Sequence, residues 1–188
     1  MRPLQSIAIG LVIIALRAEF GGYDALVDPV GWLLVLLGVR TLPVEPERRK
    51  ALFAVAAVAG VVSVPLWIPG VSDAIEDVHA SLLWVANLPQ LGFAALLCHC
   101  LVGRAAEAGD NRAAAWLKFL RVGFVAVALL PVLVFGAGVD ALEVPTYLLA
   151  TVLLLALIFL LFAWSARPWA TVPETRRGPS LPQEERPS

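Results

Sequence analysis

Six apolar runs, separated by short charged connections, constrain this sequence more than any other feature. The last run, residues 147–166, contains no charged side chain, and about 20 apolar residues are what an α-helix needs to cross a bilayer. Only 15% of the 188 residues are charged, against about 25% in an average soluble domain. The sequence therefore predicts an all-α, polytopic transmembrane helix bundle in the plasma membrane. Its six helices are expected at residues 4–20, 28–42, 51–68, 78–102, 115–137 and 146–166.

The two ends of the chain are predicted to differ. Residues 167–188 are rich in arginine, glutamate and proline, which is typical of disordered segments, and they are expected to form a cytoplasmic tail. The first apolar run follows Arg2 closely, as it would in a signal peptide. However, Leu16 and Arg17 stand where small residues precede a cleavage site, which favours a retained membrane helix.

The second helix has a clear start and a short length. Asp28 is a favourable N-cap, Pro29 suits the first helical position, and Pro43 ends the run. The helix between them measures ~22 Å, against a hydrocarbon core of ~30 Å. Either the helix matches the bilayer poorly, or it starts below the membrane surface. In the second case Asp28 would lie at the floor of a water-filled depression.

Basic residues collect on alternate connections of the chain. Apart from Arg17, every lysine and arginine falls on one side of the predicted membrane: Arg2, Arg40, Arg48, Arg49, Lys50, Arg104, Arg112, Lys118, Arg121, Arg167, Arg176, Arg177 and Arg186. The other three connections carry acidic residues. Because short cytoplasmic loops are enriched in lysine and arginine, both termini are predicted to be cytoplasmic, with three acidic turns outside.

The three outer turns resemble one another. Asp24-Ala25-Leu26 recurs as Asp73-Ala74-Ile75 and as Asp140-Ala141-Leu142. This pattern predicts three helical hairpins related by an internal threefold repeat. The alternative is convergent helix capping, because turns that precede membrane helices need N-caps in any case.

Five polar residues form a candidate polar site. Arg17, Asp24 and Asp28 cluster around the first outer turn, while Asn87 and Gln90 share a face of the fourth helix. Ionisable groups at membrane depth are costly and commonly functional. The alternative is structural: Arg17 extends to the interface, the acids are solvated caps, and the two amides join helices.

A secondary acidic cluster lies in the second outer turn and comprises Asp73, Glu76, Asp77 and His79. On a helix, Glu76 and His79 would face one metal, but a single Glu-x-x-His is only half of a di-iron pattern. A solvated acidic turn is therefore favoured, and no metal or cofactor is predicted. Cys98 and Cys100 are too few and too close for a disulfide framework. The net charge of −1 argues against a nucleic-acid partner.

The first hairpin resembles one found in uncharacterised small integral membrane proteins of Gram-positive bacteria. Their motif, Asp-x-Leu-Pro-Asp-x-x-Gly-Tyr/Trp followed by an apolar run with a late glycine, is matched here by Asp24, Leu26, Asp28, Pro29, Gly31, Trp32 and Gly38. Val27 replaces the usual proline. The frequent use of Ala, Val, Arg and Pro resembles that of high-GC actinobacterial proteins. The resemblance implies a membrane protein family without an established activity, so it assigns no catalytic residue.

Three functions remain open at this stage. Short loops and few intramembrane polar groups favour a non-catalytic accessory or scaffold protein, whose partners are the lipid bilayer and other membrane proteins. The acidic outer turns favour a small transporter or channel, with Asn87 and Gln90 lining the path. A membrane-embedded enzyme acting on lipid headgroups is the third, but no histidine or serine pair suited to acid–base chemistry is apparent.

Overall fold

The computed structural model of the protein describes residues 2–16, 19–20, 23–24, 28–66, 80–137 and 143–171. Six α-helices occupy nearly all of these residues, so the prediction of a helical fold with six helices is confirmed for the described part of the chain. The helices are α1 Pro3–Ala15, α2 Asp28–Arg40, α3 Pro46–Leu66, α4 Ala80–Glu107, α5 Asn111–Ala137 and α6 Glu143–Trp164. A short 3-10 helix, Pro168–Ala170, follows α6.

Several helix ends differ from the predicted ones. α1 ends at Ala15 rather than near residue 20, because two-residue strands follow it: β1, Glu19–Phe20, pairs antiparallel with β2, Tyr23–Asp24. α3 starts earlier than predicted because Pro46 suits the first turn and the charged residues after it are good helix formers. The apolar runs therefore predicted the approximate positions of the helices, but charged residues next to a run can also be helical, as at the start of α3.

The helices form a closed ring in which each packs against its neighbours in sequence and α1 packs against α6. Across the ring, Trp32 of α2 meets Phe93 of α4 edge to face, with ring centroids 5.5 Å apart. Large apolar side chains such as Ile7, Phe124 and Leu157 are fully buried. Most of the side chains that the structure describes inside the ring are therefore apolar.

Buried polar residues are few in the described part of the ring, namely Ser6, Ser63 and Thr146. The Ser6 hydroxyl donates a hydrogen bond to the Leu34 carbonyl on α2 at 2.9 Å, and the Ser63 hydroxyl donates to the Gly60 carbonyl at 2.8 Å. These bonds satisfy the hydroxyl groups without water, which is the requirement in a hydrocarbon environment.

Three glycines allow α1 and α2 to approach closely. A Cβ atom added to Gly10 would lie 2.5 Å from the Gly31 carbonyl oxygen, and one added to Gly31 would lie 2.7 Å from the Gly10 carbonyl oxygen. A Cβ at Gly38 would lie 2.8 Å from the Pro3 carbonyl oxygen. The two helices are thus antiparallel and in backbone contact, as small residues permit in membrane proteins.

Large apolar side chains cover the outside of the ring. On α6, exposed positions recur every three or four residues and include Val144, Leu148, Val152, Leu155 and Phe159, which is 69% exposed. α5 exposes a similar stripe: Trp116, Phe119, Val122, Val125 and Leu129. Continuous apolar surface of this extent is rare on soluble monomers and marks a membrane or protein interface.

Three helices within the described residues are long and apolar enough to cross a membrane: Trp84–Glu107, Asn111–Pro131 and Val144–Trp164. Their mean hydropathies are 1.6, 1.8 and 2.6. The prediction of a membrane protein is confirmed to that extent, while six spans stay a prediction. α1 and α2 are shorter, with 13 residues each. The first turns of α3 carry charged residues.

Candidate functional site

The basic residues of separate connections meet at one end of the ring. The α2–α3 connection and the C-terminal part of α4 line a common cleft, and the segment after α6 hydrogen-bonds to α4. The start of α1 lies beside the end of α2 through Pro3 and Gly38. We call this end, with Arg2, Arg40, Arg48, Arg49, Lys50, Arg104, Arg112 and Arg167, the basic end.

The turn between α4 and α5 organises the basic end. The Gly109 amide donates to the Ala106 carbonyl and the Asp110 amide donates to the Ala105 carbonyl, which together form a Schellman motif. Gly109 has φ +76°, a conformation that favours glycine. Asp110 then caps α5, because its Oδ1 accepts a hydrogen bond from the Ala113 amide at 3.1 Å.

The segment after α6 folds back over this turn. Trp169 is only 5% exposed, and its Nε1 donates to Asp110 Oδ2 at 3.2 Å. Arg104 Nη2 donates to the Trp169 carbonyl at 3.4 Å, and Arg167 Nη1 lies 3.5 Å from Asp110 Oδ2. The prediction of a disordered tail at 167–188 is therefore wrong for the first residues of this range, because burial of the Trp169 indole orders them. Residues 172–188 lie outside the described chain.

Asp110 is the electrostatic centre of these contacts. The hydrogen bond from the Ala113 amide lowers the pKa of the Asp110 carboxyl, and the Trp169 indole and the charges of Arg167 and Arg112 lower this pKa further. These outweigh the opposing effect of partial burial. Asp110 is therefore ionised at neutral pH, and the stability it contributes is lost only as the pH falls through its lowered pKa.

Two clefts open at the basic end. The first, about 350 Å³, is lined by Glu45, Arg48, Cys100, Gly103, Arg104 and Glu107, among others. Its charges pair internally: Arg48 Nε lies 2.9 Å from Glu45 Oε2, and Arg104 Nη1 lies 3.8 Å from Glu107 Oε2. The second cleft, about 450 Å³, is lined by Arg40, Pro46, Arg49, Lys50, Phe53 and Ala54. We call the second the basic cleft.

The residues of the predicted polar site do not belong to the basic end. Asp28 begins α2 and is half-buried, and Asn87 and Gln90 are half-buried on α4. Asp28 and Asn87 each have an interaction partner. Asp24 belongs to β2, opposite Glu19.

The remaining predicted site residues, Arg17, Asp73, Glu76, Asp77 and His79, lie outside the described residues. Within the described ranges, no group of three histidine, cysteine, aspartate or glutamate side chains could hold a metal ion.

Sequence reasoning missed the interactions that organise the basic end. Asp110 was available as a signal, because a Gly-Asp pair after a charged helix end indicates a turn and a new N-cap. Trp169 offered a weaker signal, a lone aromatic residue after Arg167-Pro168 in an otherwise polar segment. Its partners come from the turn between α4 and α5, which lies far away in the sequence.

Comparison with known proteins adds no assignment: no family model, curated protein or solved structure matches this chain. Its function is therefore inferred from the geometry of the bundle, its surface and its basic end.

Proposed function

We propose that the protein is a non-catalytic accessory or scaffold protein of the plasma membrane, embedded through all six helices. One observation carries this proposal: the described ring is apolar both inside and outside. Buried positions hold side chains such as Phe93, Leu97 and Phe124, while exposed positions on α5 and α6 are also large and apolar. Such a bundle is suited to packing against lipid and other membrane helices rather than to enclosing a polar substrate.

The proposed topology places the basic end and both termini in the cytoplasm. The contacts among the α2–α3 connection, the α4–α5 turn and the segment after α6 support it, because they gather basic residues at one end. Positive charge concentrates on cytoplasmic loops of membrane proteins. The proposal includes three hairpins, α1–α2, α3–α4 and α5–α6, whose members pack against each other. The internal threefold repeat and the relation to the Gram-positive family remain predictions.

The short first hairpin fits this topology if its outer end lies below the membrane surface. α1 and α2 contain 13 residues each, which corresponds to ~20 Å of helix against a hydrocarbon core of ~30 Å. Backbone outside helices is tolerated at membrane depth where protein or water surrounds it. The pairing of β1 with β2 supports this arrangement, because it satisfies backbone groups locally.

A small transporter or channel is the second candidate, favoured by the half-buried amides of Asn87 and Gln90 on α4. A flux measurement separates the two functions. The purified protein is reconstituted into liposomes, and proton, sodium and potassium fluxes are followed with entrapped indicators. For a scaffold we expect fluxes equal to those of protein-free liposomes, because the buried side chains of the described ring are almost all apolar.

The decisive variants are Asp28→Asn and Asn87→Leu, with Asp110→Asn as the matched control at the opposite end of the bundle. A flux that exceeds the protein-free value, and that Asp28→Asn or Asn87→Leu abolishes while Asp110→Asn preserves, would establish transport and overturn the scaffold proposal.

A further inference from the structure

The basic cleft lies where α2 ends and α3 begins. Arg40 is the last residue of α2, and Pro46, Arg49, Lys50, Phe53 and Ala54 lie on the first turns of α3. Its volume is about 450 Å³. The cleft therefore combines three cationic side chains with an apolar patch in one depression.

The positive charge of this cleft is not neutralised within the described chain. The salt bridges there join Arg48 to Glu45, Arg104 to Glu107 and Arg167 to Asp110. None of them involves Arg40, Arg49 or Lys50, and no carboxylate lines the cleft. The positive end of the α3 dipole adds to the same field. The cleft thus presents a site complementary to an anion.

Exposed apolar stripes run from the cleft along both helices. On α2, Val30, Leu33 and Leu37 are 47%, 59% and 55% exposed, and they lie in helical phase with Arg40. On α3, Val58 and Val61 are 54% and 71% exposed, and they follow Lys50 and Ala54 on one face. An anion in the cleft would therefore lie at the head of two exposed apolar stripes.

We propose that the basic cleft binds the phosphate of an anionic phospholipid, whose acyl chains lie along the stripes of α2 and α3. A free phosphate would use the cations but not Phe53 or the stripes, whereas a lipid uses both. The proposal rests on membrane embedding and holds whether the protein is a scaffold or a transporter. Clusters of lysine and arginine beside membrane helices commonly recognise anionic lipids.

The test measures lipid binding to the full-length protein in detergent micelles by native mass spectrometry. The probes are dioleoyl-phosphatidylglycerol, dioleoyl-phosphatidylcholine, inorganic phosphate and glycerol phosphate. We expect wild type to retain one phosphatidylglycerol in preference to phosphatidylcholine, with the two water-soluble phosphates competing only weakly. Arg40→Gln, Arg49→Gln and Lys50→Gln should each weaken phosphatidylglycerol binding about fivefold, and the triple variant about a hundredfold.

Arg48→Gln is the matched control, because Arg48 lies on the same helix but pairs with Glu45 in the neighbouring cleft. It should bind phosphatidylglycerol like wild type, and Arg49→Lys should keep most of the affinity. If the triple variant does not fold, the three single variants decide. Any of three results would overturn the proposal. They are unchanged phosphatidylglycerol binding in the single variants, an equal loss of binding in Arg48→Gln, and displacement of the lipid by glycerol phosphate at the same concentration as the lipid.

Discussion

Gly10→Ala is expected to be among the most destabilising single-methyl substitutions in this chain. The added Cβ would lie 2.5 Å from the Gly31 carbonyl oxygen, 2.8 Å from Val35 Cγ2 and 3.0 Å from the Val35 amide nitrogen. Two of these atoms belong to the α2 backbone, which cannot rotate away as a side chain can. Overpacking of a tight interface costs about 1–3 kcal/mol, and we expect the upper part of that range, measured by thermal unfolding in detergent.

Gly92→Ala is the matched control for this prediction. Gly92 also lies inside a helix, but a Cβ there would meet nothing within 4 Å. Since alanine favours helix over glycine by about 0.5–1 kcal/mol, this variant should be neutral or slightly stabilised. Equal unfolding temperatures for Gly10→Ala and Gly92→Ala would contradict the close contact between α1 and α2.

Trp169→Ala is expected to release the segment after α6 from the α4–α5 turn. It removes a buried indole that donates to Asp110 and lies beside Trp164, with ring centroids 6.2 Å apart. Replacing a buried tryptophan by alanine costs about 3–5 kcal/mol. The Ala170 amide of this segment donates to the Arg167 carbonyl at 2.9 Å. Release of the segment should therefore appear as faster hydrogen–deuterium exchange of the Ala170 amide, together with a lower unfolding temperature by size-exclusion chromatography after heating.

Two variants isolate the cause of this loss. Trp116→Ala makes the same chemical change at a side chain that is 47% exposed, and it should leave the exchange rate of the Ala170 amide unchanged. Trp169→Phe keeps an aromatic ring but removes the hydrogen bond to Asp110, so it should cost about 1 kcal/mol. If Trp116→Ala accelerated exchange of the Ala170 amide as much as Trp169→Ala did, the buried contact would not be what orders the segment.

The sequence predicted the number and approximate place of the helices because charged connections separate the six apolar runs. It did not predict where α1 ends, since the change from helix to the β1–β2 pair depends on backbone pairing rather than on hydrophobicity. The close approach at Gly10 was also missed, because its partner Gly31 lies on another helix and no local pattern links the two.

The basic end was predictable in part. The distribution of arginine and lysine along the chain predicted that several connections share one side, and contacts such as that between Arg104 and the Trp169 carbonyl bring those connections together. The number of charged residues in each connection could not distinguish the basic cleft from the neighbouring cleft. That difference depends on which arginine each carboxylate pairs with. Glu45 forms a salt bridge with Arg48, whereas Arg49 lines the basic cleft without a carboxylate partner among the described residues.

Side-specific cysteine labelling tests the membrane topology most directly. In a Cys98→Ala, Cys100→Ala background, Ala108→Cys reports the α4–α5 turn at the basic end, and Val144→Cys reports the first turn of α6 at the opposite end. Both native positions are exposed. With a membrane-impermeant maleimide on intact cells, we predict labelling of Val144→Cys, whereas Ala108→Cys is labelled only after lysis. Labelling of Ala108→Cys in intact cells would contradict a cytoplasmic basic end.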